Sequence, residues 1–154
     1  MLGTRPLSDG FGVEVHGVDL ASLAPAQFDA IHDAFFEAQV LVARGQRLSP
    51  ADFVEWARRF GPPEPHVIDQ FHHPDDRNIL ILSNVVIDGE PSGLADAGTY
   101  FHTDYSYLAV PARATTLYSI EAPDAGGDTI FANQYAAYDE LPAALRRRVE
   151  GSDD

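Results

Sequence analysis

The chain has 154 residues, the length of one domain, and 10 arginines against 24 acidic residues give it a formal net charge of −14 at pH 7. A surface this acidic repels phosphate backbones and anionic lipid headgroups, so neither nucleic acid nor a membrane is an expected partner. The chain lacks cysteine, which excludes disulfides, thiolate catalysis and zinc-thiolate sites, and no apolar run approaches the roughly 20 residues of a membrane span.

The amino-terminal part of the chain predicts two short strands and a helix. Apolar and polar residues alternate at 13–16, which is typical of a strand, and the apolar run 40–43 predicts a short buried strand. Between them, Pro25 suits the first position of a helix. Apolar residues recur at helical spacing between Phe28 and Phe35, so we expect this helix to bury one face.

A second helix has the clearest start signal in the chain. Ser49 can cap the helix, Pro50 suits its first position, and Asp52 stands in capping-box register. Gly61, followed by two prolines, would end this helix. Its buried face would consist of Phe53, Trp56, Ala57 and Phe60.

The remainder of the chain predicts short strands and two more helices. We expect strands at 79–82, 100–107, 114–120 and 129–132, a turn at 88–93, a tight turn at 125–128, and helices around 135–141 and from Pro142 onward. A mixed α+β region that leads into antiparallel strands favours a jelly roll with flanking helices. The whole chain, 1–154, would form a single domain, and we expect it in the cytoplasm because its first residues lack a secretory signal.

The motif that carries chemistry is His102-Thr103-Asp104 in the predicted strand 100–107. Residues i and i+2 of a strand point to the same face, so the imidazole of His102 and the carboxylate of Asp104 would aim at one point. Joined by a second histidine, they would make the 2-His-1-carboxylate triad of non-haem Fe(II) oxygenases. Alone, the motif also fits a surface histidine beside a solvated aspartate, so its context decides.

The sequence around this motif resembles that of the TauD/TfdA family, which comprises the taurine and 2,4-dichlorophenoxyacetate type of Fe(II)/2-oxoglutarate dioxygenases. The similar segments, in the family's order, are 11–20, 40–50, 60–62, 102–107, 126–132 and 136–142. They cover nearly the whole chain and correspond to the amino-terminal half of the family's domain. The resemblance therefore implies an α+β fold built on a double-stranded β-helix (a jelly-roll, cupin-like fold) with flanking helices, truncated in this chain.

The resemblance also implies a reaction and the residues that serve it. His102 and Asp104 would be catalytic residues and two of the three Fe(II) ligands, and Thr129 would hydrogen-bond a carboxylate of 2-oxoglutarate. Family members use O₂ to hydroxylate a small organic acid, such as a sulfonate or an aryloxyacid, and release succinate and CO₂. His73 lies in the loop where sulfonate-oxidising members place a substrate-binding histidine. The alternatives are an ordinary strand threonine at 129 and an exposed loop histidine at 73.

The sequence departs from the family pattern at several points. The family's third ligand, a histidine, and the arginine that pairs with 2-oxoglutarate would lie beyond residue 154. The five other histidines precede His102, which is the wrong order for the family. Gly98 stands where the taurine enzyme has a substrate-contacting asparagine, and Phe101 replaces a frequent tryptophan, so taurine is a poor candidate substrate.

Three functions remain open at this point. The first is the dioxygenase, expected to be a homo-oligomer as family members often are. The second is a truncated, non-catalytic remnant or binding module of the same fold. The third is a metal-dependent hydrolase or isomerase, which would not need 2-oxoglutarate. The match at 126–132 favours the first over the third. Half a jelly roll leaves apolar faces and strand edges in water, so we expect aggregation or pairing with another chain.

Overall fold

The computed structural model describes residues 2–150, which form a mixed α/β fold. The strands are β1 (Gly3–Ser8), β2 (Phe11–His16), β3 (Leu41–Ala43), β4 (His72–His73), β5 (Asp76–Leu80), β6 (Val86–Ile87) and β7 (Glu90–Pro91). The helices are α1 (Pro25–Ala38), α2 (Pro50–Arg58), α3 (Gln134–Asp139) and α4 (Ala143–Val149), and short 3-10 turns lie at Leu20–Ser22 and Asp69–Phe71. No helix within this range is both long enough and apolar enough to cross a bilayer.

The first three strands form one sheet in the order β1-β2-β3. β1 and β2 make an antiparallel hairpin whose turn contains Gly10 in a left-handed conformation (φ 70°). β3 runs parallel to β2, with Leu41 opposite Val13, and α1 forms the crossover between them. The predicted strands at 13–16 and 40–43 are confirmed.

The core lies where α1 and α2 meet. Ile31 from α1 is fully buried, and it packs with Trp56 and Phe60, which are less than a tenth exposed. The ring of Phe28 meets both aromatics edge-on, with centroids 6.0 Å from Trp56 and 5.4 Å from Phe60. Edge-to-face packing suits the quadrupoles of aromatic rings, and burying each large side chain contributes about 1.5–3 kcal/mol.

The second helix begins as its sequence predicts. The hydroxyl of Ser49 accepts a hydrogen bond from the backbone N–H of Asp52 at 3.2 Å, and the carboxylate of Asp52 accepts one from the N–H of Ser49 at 3.0 Å. This capping box satisfies two backbone donors at the helix start. Val54, outside the predicted face, is also buried, while Phe53 is only partly buried.

The buried carboxylate of Glu14 forms ion pairs that link the strands of the amino-terminal sheet. Glu14 is only 3% exposed, and its carboxylate lies 2.6 Å from the guanidinium of Arg5, which it faces across β1 and β2. Arg44, just after β3, lies 3.4 Å from the other oxygen, and His16 lies 3.6 Å from it. The hydrogen bond from Arg5 lowers the pKa of Glu14 below its ordinary value, and the nearby charges of Arg5, Arg44 and His16 act in the same direction.

Two small hairpins follow α2. β6 and β7 are joined by Asp88 and Gly89, both with positive φ, which is the backbone of a tight two-residue hairpin turn. The predicted turn at 88–93 therefore begins where expected. The strand predicted at 79–82 lies earlier in the chain: β5 spans Asp76–Leu80, and the backbone of Ile81 is hydrogen-bonded to Phe71 and Leu94 instead.

The strands predicted at 100–107, 114–120 and 129–132 are wrong. Within residues 2–150 these segments have no β-ladder partner, and a strand exists only when a neighbour accepts and donates its backbone hydrogen bonds. Many of their apolar side chains are exposed, among them Phe101 at 71% and Ile120 at 89%. The predicted carboxyl-terminal helices are confirmed as α3 and α4. The described residues thus show a mixed α/β unit and do not by themselves display a jelly roll.

Candidate metal centre

The side chains of His102 and Asp104 converge, although they do not lie on a strand. Residues 101–103 are irregular, and a turn follows in which the N–H of Leu108 donates to the carbonyl of Tyr105. Tyr105 has a φ of 52°, a left-handed conformation that an extended strand cannot contain. Even so, Nε2 of His102 lies 3.1 Å from Oδ1 of Asp104. The predicted convergence is present, and it comes from a turn.

The second ring nitrogen of His102 is already engaged. Nδ1 lies 2.8 Å from the carbonyl oxygen of Tyr100, so it carries the proton and donates it to that oxygen. This hydrogen bond raises the pKa of His102, and the carboxylate of Asp104 raises it further. Metal-ligating histidines typically donate their other N–H to a carbonyl or carboxylate in this way. Nε2 is therefore the nitrogen that His102 can offer to a metal ion.

The second oxygen of Asp104 is also engaged. Oδ2 accepts a hydrogen bond from the hydroxyl of Thr115 at 2.8 Å, which leaves Oδ1 facing the imidazole. Thr115 belongs to the segment 114–118, which lies against the helical core. In this dyad of His102 and Asp104, each side chain has one atom held by an outer partner, while Nε2 and Oδ1 face each other at 3.1 Å.

Tyr118 fastens the segment 114–118 to the rest of the molecule. Its hydroxyl accepts from the N–H of Leu48 at 3.2 Å and donates to the carbonyl of Gln46 at 3.3 Å. Its ring lies 5.9 Å from that of Phe53 on α2. A cavity of about 130 Å³ is lined on one side by this segment and on the other by core residues, among them Trp56 and Phe60. The site therefore rests on α2 through a short chain of contacts.

The geometry of the dyad fits two neighbouring ligands of one metal ion. Ligand atoms at about 2.1 Å from a metal ion and at right angles to each other lie about 3 Å apart, which matches the observed 3.1 Å. One imidazole nitrogen and one carboxylate oxygen are donors that suit Fe(II). Among residues 2–150, no third histidine, aspartate or glutamate completes a metal-binding group around them.

The other predicted site residues are not joined to the dyad. Thr129 is exposed, and in the described part of the chain its hydroxyl makes no hydrogen bond. His73 lies on β4, where its Nδ1 accepts from the backbone N–H of Asp75 at 3.1 Å. That contact is a local loop contact. The structure therefore assigns neither residue a place beside His102.

Three features of the site escaped the sequence analysis. The carbonyl of Tyr100 and the hydroxyl of Thr115 hold the dyad, and Gly98 leaves space beside it. A Cβ on Gly98 would lie 3.4 Å from Cε1 of His102, and its φ of 73° is strained for other residues. The contact between Thr115 and Asp104 spans 11 residues of irregular chain, so no local pattern signals it.

The chain is similar over most of its length to one family of enzymes. The family described as "Taurine catabolism dioxygenase TauD, TfdA family" matches residues 3–153. The matched range includes the His102–Asp104 dyad, Thr115 and Thr129.

Individual relatives are matched over about half of their length. The chain is 34% identical over 142 residues to pentalenolactone F synthase of Streptomyces arenae, which covers 90% of this chain and 48% of that protein. It is 33% identical over 158 residues to the alpha-ketoglutarate-dependent 2,4-dichlorophenoxyacetate dioxygenase of Cupriavidus pinatubonensis, covering 96% and 55%. The crystal structure of a taurine dioxygenase from Burkholderia xenovorans superposes with a TM-score of 0.71 at 30% identity, covering 97% and 51%.

Proposed function

The chain belongs to the TauD/TfdA dioxygenase family, and from this premise we propose that it forms part of an Fe(II)- and 2-oxoglutarate-dependent dioxygenase. The enzyme would hydroxylate a small organic acid and release succinate and CO₂. The observation that carries the proposal is the 3.1 Å approach of His102 Nε2 to Asp104 Oδ1, with the outer atom of each side chain held by a hydrogen bond. We further propose that the complete domain is a jelly roll, as the similarity to a taurine dioxygenase structure supports.

His102 and Asp104 are the residues that would hold the metal ion. When bound, Fe(II) with 2-oxoglutarate and O₂ would supply the oxidising chemistry. The task of His102 is to offer Nε2, and any proton on that nitrogen must leave to solvent when the metal binds. The carbonyl of Tyr100 keeps the imidazole in the required tautomer and orientation. Asp104 offers Oδ1 beside it and contributes the negative charge that stabilises a cation.

Two further roles rest on position within the family's segments. We propose that Thr129 donates its hydroxyl to a carboxylate of 2-oxoglutarate. Gly126 and Gly127 precede it with φ values of 78° and 72°, and such left-handed residues shape the turn that presents the threonine. We propose that His73 contacts an anionic substrate.

The substrate is proposed to be an aryloxyacid-like carboxylate or another small organic acid. The relatives that support this class are named for 2,4-dichlorophenoxyacetate and (S)-phenoxypropionate. Taurine fits less well, because Gly98 offers no side chain to a substrate. The homo-oligomeric state and the cytoplasmic location stay predictions, which composition and family resemblance support.

The alternative is a non-catalytic binding module of the same fold. It is kept because the chain spans about half the length of its relatives. Such a module would hold a metal ion through His102 and Asp104 without turning over 2-oxoglutarate.

The experiment that tests the proposal measures succinate formed from 2-oxoglutarate under air with Fe(II), with and without an aryloxyacetate. We expect the succinate yield of the wild-type chain to be retained in a His16→Gln control and lost in His102→Ala. His16 is a half-exposed histidine at the end of β2, outside the site. Metal binding without succinate would favour the binding module. A yield that His102→Ala leaves unchanged would contradict both functions.

A further inference from the structure

We propose that Thr115 is a positioning residue that holds the carboxylate of Asp104 so that Oδ1 faces the imidazole of His102. The inference rests on the proposed function, since its purpose is to present a ligand atom. The Thr115 hydroxyl donates to Oδ2 at 2.8 Å, and Oδ1 lies 3.1 Å from Nε2. An aspartate side chain that is 38% exposed would otherwise exchange between rotamers. The hydrogen bond to a charged carboxylate is of the stronger kind, so it can select one of them.

The segment that carries Thr115 is held from its opposite face. Burial alternates along 114–118, with Ala114, Thr116 and Tyr118 partly buried and Thr115 and Leu117 exposed. Alternation with a period of two is the pattern of an extended chain, in which neighbouring side chains point to opposite sides. Ala114 packs against the core cluster, and the hydroxyl of Tyr118 is bonded at two backbone groups. Thr115 therefore reaches Asp104 from a segment that contacts the core through the residues on either side of it.

The two members of the dyad are held in matching ways. The carbonyl of Tyr100 engages Nδ1 of His102, and the hydroxyl of Thr115 engages Oδ2 of Asp104. In each case the held atom is the one that does not face the shared point. Outer hydrogen bonds of this kind orient metal ligands, and their removal typically weakens metal binding roughly 10- to 100-fold.

Three variants separate positioning from a general structural role. Thr115→Val keeps the shape of the side chain and removes its hydroxyl, and Thr115→Ser restores the hydroxyl. Thr116→Val makes the same chemical change one residue along, on the face that packs against the core. Equal thermal unfolding midpoints would establish that all three variants are folded.

The first measurement is Mn(II) affinity of the 154-residue chain by electron paramagnetic resonance, with Mn(II) alone as the probe. We expect Thr115→Val to weaken binding roughly 10- to 100-fold, and Thr115→Ser and Thr116→Val to stay within about twofold of wild type. His102→Ala tests the proposed function separately and should abolish binding. If His102→Ala abolishes binding while Thr115→Val binds like wild type, the proposed function stands and the role of Thr115 is overturned.

The second measurement needs no metal. Three-bond couplings to Cγ of Asp104, measured by NMR on the metal-free chain, report the rotamer of that side chain. We expect a single rotamer in the wild type, in Thr115→Ser and in Thr116→Val, and averaged couplings in Thr115→Val. The same single rotamer in Thr115→Val would overturn the inference, even if no variant binds Mn(II) and the proposed function fails.

Discussion

Single side chains decide both the stability and the chemistry of this protein. Glu14 is a buried carboxylate that binds Arg5 and Arg44 and so ties three strands together, whereas Asp104 and His102 hold their geometry at the surface through Thr115 and Tyr100. The convergence of the dyad was predicted from a strand, whereas the structure produces it in irregular chain beside a turn. The hydrogen bond from Thr115 to Asp104 was not predictable, since it joins residues 11 apart that meet only when their segments pack.

Glu14 should make the stability of the fold depend on pH. Its pKa is lowered in the folded protein, so its contribution is complete above the ordinary glutamate value of 4.5 and is lost as the pH falls through the folded pKa. Glu14→Gln should therefore lower the thermal unfolding midpoint at pH 7, and the gap to wild type should narrow in acid. Thermal unfolding followed by circular dichroism from pH 7 to about pH 3 measures this gap.

Glu37→Gln is the matched control, because Glu37 is exposed on α1. It should leave the midpoint unchanged at neutral pH. A gap between wild type and Glu14→Gln that stays constant with pH would show that the carboxylate charge of Glu14 does not stabilise the sheet.

At the scale of elements, the helix starts and the tight turn, which depend on neighbouring residues, were predictable. The strands that need a distant neighbouring strand were not. The capping box at Ser49, the proline at the start of α1 and the turn at 88–89 are written in neighbouring residues, and each is present. The strands expected at 100–107 and 114–120 carry aromatic and β-branched residues, but a strand also needs a neighbouring strand. Within residues 2–150 that neighbour is lacking, so the pattern alone was insufficient.

The start of α2 should carry measurable stability. Ser49→Ala removes the side-chain acceptor for the N–H of Asp52, and loss of such a cap typically costs about 1 kcal/mol of unfolding free energy. Urea unfolding followed by circular dichroism measures the change. Ser119→Ala, at an exposed serine in an irregular segment, should change the free energy little. Equal effects of the two substitutions would contradict the importance of the capping box.

At the scale of the whole molecule, an unpaired apolar stretch follows a small helical core. Phe101, Val110 and Ile120 are 71%, 83% and 89% exposed, although large apolar side chains are more often buried. The relatives are about twice as long as this chain, and the proposed jelly roll would need strands on both sides of this stretch. The mixed fold class was predictable from the order of helices and strands along the chain. Whether strands close into a jelly roll depends on all of the strands in the domain, so the segments of this chain could not predict it alone.

The exposed stretch should drive self-association. Apolar side chains and unpaired backbone groups both gain by pairing, so we expect the sedimentation coefficient to rise with protein concentration in the micromolar range. The double substitution Val110→Ser and Ile120→Ser should reduce this rise. Val86→Ser removes an exposed apolar side chain from the paired β6–β7 hairpin, and it should leave the rise in sedimentation coefficient unchanged. A wild-type monomer over the whole concentration range would contradict the prediction.

The most direct test of the central claim is an anaerobic titration of the 154-residue chain with Fe(II) in the presence of 2-oxoglutarate, followed by visible absorption. We expect a weak charge-transfer band from the chelate, which is lost in His102→Ala and retained in His16→Gln. A band that persists in His102→Ala would contradict the assignment of His102 and Asp104 as the iron ligands, and a folded wild-type chain that gives no band would contradict binding of iron and 2-oxoglutarate by this chain.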